Sequence, residues 1–170
     1  MIIEFFPTKN IAARTEAVSK LVIHHTATRS LPSVLSWFRD PESMRSAHYV
    51  ISKEGLIYQL ADPEKHITWH CKGINQQSVG IEVVSRNEPI TLKQDEALEE
   101  LCRTLLKKFK LNYLSISGHR SVAKSPTECP GNLFGATDVA ALNNWTKEKF
   151  SIEFPAPSDR SRKIKPRGYV

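Results

Sequence analysis

Apolar and polar positions along the chain switch between two periods, and the switches mark its elements. Lys20-Leu-Val-Ile-His-His is an apolar, β-branched run too short for a helix, which predicts a buried central strand with His24 near its C-terminal end. Leu31 to Phe38 carries a proline near its start and apolar residues at 34, 35 and 38, the pattern of a short helix packed on a sheet. Residues 47–52 and 56–60 are β-rich runs on either side of Lys53-Glu54-Gly55, which predicts a β-hairpin. Ser78 to Ser85 is another β-rich run, interrupted by Glu82. A charge in a central strand requires an explanation.

Thr91-Leu-Lys-Gln94 has the capping-box pattern, and behind it Ala97, Leu98, Leu101, Cys102, Leu105, Leu106 and Phe109 recur at helical spacing. This is the longest predicted helix, with Cys102 as a small apolar member of its buried stripe. Leu114 to Gly118 predicts a short strand that delivers His119, and Asp138 to Phe150 a final helix with Trp145 on its inner face. Strands and helices alternate without internal repeats. The expected architecture is a single α/β domain, a mixed central sheet of five to six strands flanked by helices.

Composition agrees with one globular domain, since 170 residues at 40% hydrophobic and 25% charged can bury a real core. The net charge of +6 is uneven. Arg160, Arg162, Lys163, Lys165 and Arg167 stand against Asp159 in a proline-containing tail, so 155–170 is expected to be a flexible basic arm. It is either a solvated tail or a tether to an anionic envelope surface. No basic-aromatic motif accompanies it, so nucleic acid is not an expected partner. No apolar run reaches the ~20 residues that span a bilayer. Met1 to Pro7 lacks the basic lead of a signal peptide, so synthesis in the cytoplasm without a signal is expected. Three cysteines, at 71, 102 and 129, are an odd count without disulfide-framework spacing, which leaves one free to act as a ligand.

The chemistry concentrates in Gly118-His119-Arg120, in Cys129-Pro130-Gly131 ten positions after the histidine, and in His24-His25. Two imidazoles and one thiolate can hold zinc by three ligands and leave a fourth position open for water, the layout of a hydrolase. His24 and His25 point to opposite faces of a strand, so only one of them enters such a site directly.

Leu-Val-Ile-His24-His25-Thr-Ala-Thr, Ser46-Ala-His-Tyr-Val-Ile-Ser-Lys-Glu-Gly55, Trp69-His-Cys-Lys-Gly73, Asn75, Ser78-Val-Gly-Ile-Glu82 and Gly118-His-Arg with Thr127-Glu-Cys-Pro-Gly131 follow one another in order. In this the chain resembles the zinc-dependent N-acetylmuramoyl-L-alanine amidases, a family that includes phage endolysins, muropeptide amidases and peptidoglycan recognition proteins. The likeness runs from about Lys20 to Trp145. It divides the chain into an N-terminal extension over 1–19, an amidase domain over 20–154 and the basic tail.

The resemblance implies cleavage of the amide between the lactyl group of N-acetylmuramic acid and L-alanine in peptidoglycan or muropeptides, by a monomer that reaches the wall after release or delivery. It implies Zn2+ as cofactor, with His24, His119 and Cys129 as ligands. His25 is then a satisfied histidine beneath the sheet or a hydrogen-bonding helper to a ligand. Glu82 is the expected proton-transfer residue, on a Gly-Ile-Glu strand similar to that of muropeptide amidases. Phage relatives carry a catalytic tyrosine where this chain has Ala47, and a lysine where it has Thr127. The Thr-Glu-Cys-Pro ending is instead similar to that of peptidoglycan recognition proteins, and cytosolic muropeptide amidases generally use aspartate as third ligand. Lys124 becomes a candidate electrophile, Thr127 a candidate donor to the oxyanion or a turn cap, and Tyr49 a possible replacement hydroxyl. Trp69 and His70 are expected at the substrate, Asn75 and Arg120 at the stem peptide. His48 and His66 carry no role beyond support. Two alternatives use the same resemblance, a non-catalytic recognition module that has lost its metal and a cytoplasmic recycling amidase.

Overall fold

The computed structural model describes residues 3–157. Eight strands and four helices follow in order: β1 (Ile3–Phe5), β2 (Ile11–Ala13), β3 (Lys20–His25), α1 (Leu31–Arg39), β4 (Tyr49–Ile51), β5 (Ile57–Gln59), β6 (His66–Thr68), β7 (Ser78–Val83), α2 (Leu92–Phe109), β8 (Ile116–Gly118), α3 (His119–Val122) and α4 (Val139–Phe150). Six strands form one mixed sheet in the order β1-β5-β4-β7-β3-β8, and β2 pairs with β6 in a separate ribbon. β4, β7, β3 and β8 are mutually parallel, β5 turns back on β4, and β1 closes the far edge parallel to β5.

The strand alternation assigns the two faces. Leu21 and Ile23 of β3, Tyr49 and Ile51 of β4 and Val79, Ile81 and Val83 of β7 pack with the stripe of α2 and with Leu142 and Phe150 of α4 in one core. Cys102 lies fully buried there, as expected of a core hydrophobe. Tyr49 lies there too, pointing away from the face that carries His24, so it is no replacement hydroxyl. The opposite face carries a smaller core, in which Val34, Leu35 and Phe38 of α1 cover Val50, Ala47 and Leu60.

The local signals act as read. Thr91 and Gln94 close both bonds of the capping box, each at 3.1 Å, and Ser30 and Asp138 cap α1 and α4 through their side chains. β8 is shorter than the run 114–118 suggests, because Asn112 accepts the Leu114 N–H at 3.0 Å and turns residues 113–115 into a 3-10 helix.

The N-terminal segment departs from the boundary at residue 20. β1 belongs to the main sheet, and the Arg14 side chain donates to the carbonyl oxygens of Pro63 at 2.7 Å and Ser78 at 2.8 Å, and to that of Gln76. Strands of three residues without periodicity leave no hydrophobic pattern, and an arginine that ties loops together by its fork reads locally as a solvated charge. Residues 155–157 follow α4, whereas 158–170, with all five basic residues of the tail, lie outside the described residues. No helix among the described residues is long and apolar enough to cross a membrane.

Candidate active site and metal centre

β3 and β7 run parallel with His24 registered on Glu82, so the two side chains emerge on the same face, away from α2. On the other side of β3, β8 ends at Gly118, registered on Ile23, and the next residue, His119, opens α3 beside the end of β3. The rings of His24 and His119 lie 4.5 Å apart between centroids. The loop after α3 then returns Cys129, held by a bond from the Arg120 N–H to the Cys129 carbonyl at 2.7 Å. Gly118 permits this approach, since a Cβ there would sit 2.7 Å from the Pro130 ring.

Cys129 Sγ accepts the His25 backbone N–H at 3.4 Å and lies 3.7 Å from His24 Nδ1. Donor atoms of His24, His119 and Cys129 all fall within 4.8 Å of one another. A tetrahedral zinc site with ordinary Zn–N and Zn–S bonds has an N···S edge of about 3.6 Å, so the measured spacing fits. Protonation fits as well. Burial, then the neighbouring His119 and His25, lowers the His24 pKa far below the ordinary range, and burial with His25 lowers that of His119, so both are neutral imidazoles with a lone pair to give. Burial, reinforced by Glu82, pushes the Cys129 thiol up. A thiol in that position ionises only against a cation, which is what a metal supplies.

Glu82 explains its own charge. Burial pushes its carboxyl up to about 8, and its Oε2 is a buried oxygen with no hydrogen-bond partner. It shares a hollow of about 460 Å3 with His25, Trp37, Trp69 and His70. An adjoining hollow of about 670 Å3 brings His119, Asn75, Lys124 and Thr127 to the same Trp69 and His70. Sharing Trp69 and His70, they form one cleft that reaches the donor set at His119.

The sequence-predicted residues occupy this cleft unequally. Trp69 and His70 stand at its centre, but the His70 ring also bonds downward, its Nδ1 at 3.0 Å from His24 Nε2 and its Nε2 at 3.0 Å from Ser78 Oγ. Thr127 Oγ1 accepts the Cys129 N–H at 3.2 Å, the turn cap, and its own hydroxyl proton remains available to the cleft. Lys124 is exposed, its alkyl stem laid against Gly73. The Asn75 side-chain carbonyl accepts the Cys71 N–H at 2.8 Å, so the part facing the cleft is its amide. Arg120 is not brought to the cleft with the others. Its guanidinium donates to the Glu128 carbonyl at 2.9 Å and lies with Pro130 and Phe134 on the far side of α3, because α3 turns successive side chains apart. His25 Nδ1 accepts the Ala27 N–H at 3.0 Å. His48 is fully buried, its Nδ1 accepting the Gly80 N–H at 3.0 Å.

Sequence reasoning missed Trp37. It is 54% exposed and lines the cleft from α1. Its signal was present: it falls off the 34, 35, 38 stripe, and a tryptophan off the buried stripe faces water or a ligand.

An α/β sheet that gathers a His, His, Cys donor set and an isolated carboxyl at the carboxyl ends of parallel strands defines a hydrolytic class with a metal-type centre. The chain belongs to the N-acetylmuramoyl-L-alanine amidase family, whose model matches residues 14–132. N-acetylmuramoyl-L-alanine amidase A of Achromobacter lyticus is 44% identical over 62 residues, 36% of this chain and 34% of that protein, so the match spans about a third of the relative's length. Among solved structures, AmpD superposes with a TM-score of 0.69 at 23% identity, covering 84% of this chain and 93% of AmpD. The amidase LysC of Clostridium intestinale URNW superposes at 0.66 with 25% identity, covering 88% of this chain and 97% of LysC.

Proposed function

We propose that this protein is a zinc-dependent peptidoglycan amidase that hydrolyses the bond between the lactyl group of N-acetylmuramic acid and the L-alanine of the stem peptide. One observation carries the reading: the donor atoms of His24, His119 and Cys129 converge within 4.8 Å beside a buried, partnerless Glu82 oxygen registered on His24. Membership of the amidase family supplies the bond.

His24, His119 and Cys129 would hold the ion. A bound zinc supplies Lewis acidity, which polarises an amide carbonyl and acidifies water toward a pKa of ~7. The remaining work belongs to the chain's own side chains. Glu82 takes a proton from the attacking water at its free oxygen and returns it to the leaving amine of L-alanine, a cycle open to a carboxyl oxygen that no other hydrogen bond occupies. The Thr127 hydroxyl and Lys124 are the donors within reach of developing negative charge, Thr127 fixed by its turn and Lys124 movable. Trp69 and Trp37 offer flat apolar walls to the glycan, and the Asn75 amide a donor to the stem peptide. The charge on the basic tail suits a tether to an anionic envelope, and a phage or prophage endolysin or related lytic effector is the setting that uses both.

The test is mass spectrometry of purified cell wall digested with the protein, which reads the bond directly. Release of intact stem peptides starting at L-alanine, abolished by chelation and restored by zinc, is the expected result. Glycan fragments with stem peptides still attached, or equal digestion in chelator, would refute it.

A further inference from the structure

We propose that His70 is a positioning residue which, seated on Gly80 and oriented by Ser78, fixes His24 in the tautomer that turns Nδ1 toward the metal site. The inference rests on the reading of His24 as a metal ligand and gives His70 a duty distinct from contact with substrate.

The argument is one of donors and acceptors in sequence. The Ile74 carbonyl can only accept, and Ser78 Oγ lies 2.7 Å from it, so the single hydroxyl proton of Ser78 is directed there. Ser78 Oγ then presents a lone pair to His70 Nε2, 3.0 Å away, which places the one proton of a neutral imidazole on Nε2. His70 Nδ1 is left as an acceptor, 3.0 Å from His24 Nε2. His24 therefore carries its proton on Nε2, and its Nδ1 lone pair faces Cys129 Sγ at 3.7 Å. Reversing any link sets two N–H groups or two lone pairs against each other in a buried space and leaves those groups unsatisfied. A backbone carbonyl three hydrogen bonds away thus sets the polarity of a metal ligand.

The chain also builds the seat. A Cβ at position 80 would lie 2.4 Å from His70 Cγ and 2.8 Å from Nδ1, so the imidazole rests directly on the β7 backbone, where only glycine leaves room. Gly80 spends its N–H on His48 Nδ1, so it gives His70 space without competing for its nitrogens. The His24 and His70 ring centroids lie 5.2 Å apart, the separation of two rings meeting edge to edge through nitrogens 3.0 Å apart.

The test combines zinc affinity, by competition with a chromophoric chelator, with ring 15N shifts of the ion-free protein. His70→Leu fills the seat but accepts no hydrogen bond and should weaken zinc binding about 10- to 100-fold. His70→Asn, whose Oδ1 can stand where Nδ1 stood, should recover most of that loss. Ser78→Ala should weaken binding about fivefold, the worth of one hydrogen bond. The 15N spectrum should give His24 and His70 both as Nε2–H tautomers. A His70→Leu variant that binds zinc as tightly as the parent, no recovery in His70→Asn, or a spectrum with His24 protonated at Nδ1 overturns the proposal. Failure of the parent to bind zinc refutes the metal reading instead, and the spectrum still decides the order of the relay.

Discussion

Replacing Glu82 by glutamine separates what the carboxyl does for stability from what it does for chemistry. Burial lifts it from an ordinary 4.5 to about 8 in the ion-free protein. Between those values the folded chain keeps a proton that the unfolded chain has lost, so the stabilisation is fully present below about pH 4.5 and disappears as pH rises through about 8. At ~1.4 kcal/mol per unit the window has a ceiling of roughly 5 kcal/mol, and the position of Glu82 on the lining of the cleft reduces the expected effect to about 2 kcal/mol. Glutamine cannot ionise and does not follow this slope. In chelator, Glu82→Gln and the parent should melt together near pH 5, and the variant should melt about 4–8 °C higher near pH 8.5. With zinc restored, the same variant should bind the ion yet lose about 100- to 10,000-fold in kcat. Parallel melting curves at both pH values would show that Glu82 is not held protonated in the fold. An unimpaired kcat would move proton transfer to Lys124 or Thr127.

Other expectations test the cleft and its supports. Trp37→Ala should raise KM for glycan-bearing substrates about three- to tenfold, with kcat and thermal stability unchanged because the ring is more than half exposed; steady-state kinetics on a disaccharide peptide checks it. Arg14→Met leaves several loop carbonyls without their donor and should cost about 2 kcal/mol by denaturant unfolding, and removal of residues 1–19 should prevent folding altogether. Deleting 158–170 should weaken binding to whole walls in a salt-sensitive manner while sparing hydrolysis of small muropeptides, and equal loss on both substrates would exclude a tether.

What was legible in the sequence was what repeats or interrupts a repeat. α2 announced itself by its stripe and capping box, β3 and β7 by apolar runs, and Glu82 by breaking one of them. His119 and Cys129 stood out by residue type and spacing. β1, β2 and β6 stayed silent because three residues carry no period, and their pairings join residues 53 or more positions apart in sequence. His70 was visible as a residue beside Trp69, but its bonds to His24 and Ser78 depend on a glycine in another strand, a relation that exists only after β3 and β7 have paired.

The distance in sequence between His24 and Cys129 has a thermodynamic consequence. They stand 105 residues apart, and anything that bonds to both closes a loop that includes most of the sheet and the whole of α2. Ring closure of that size removes conformational freedom chiefly from the unfolded chain, as a crosslink does, and its worth grows only slowly with further length. An ion held there would act as a reversible staple across the domain. Its loss would then be felt as a fall in melting temperature scaling with the logarithm of free ion concentration, so that the persistence of the folded domain would follow the supply of metal around it.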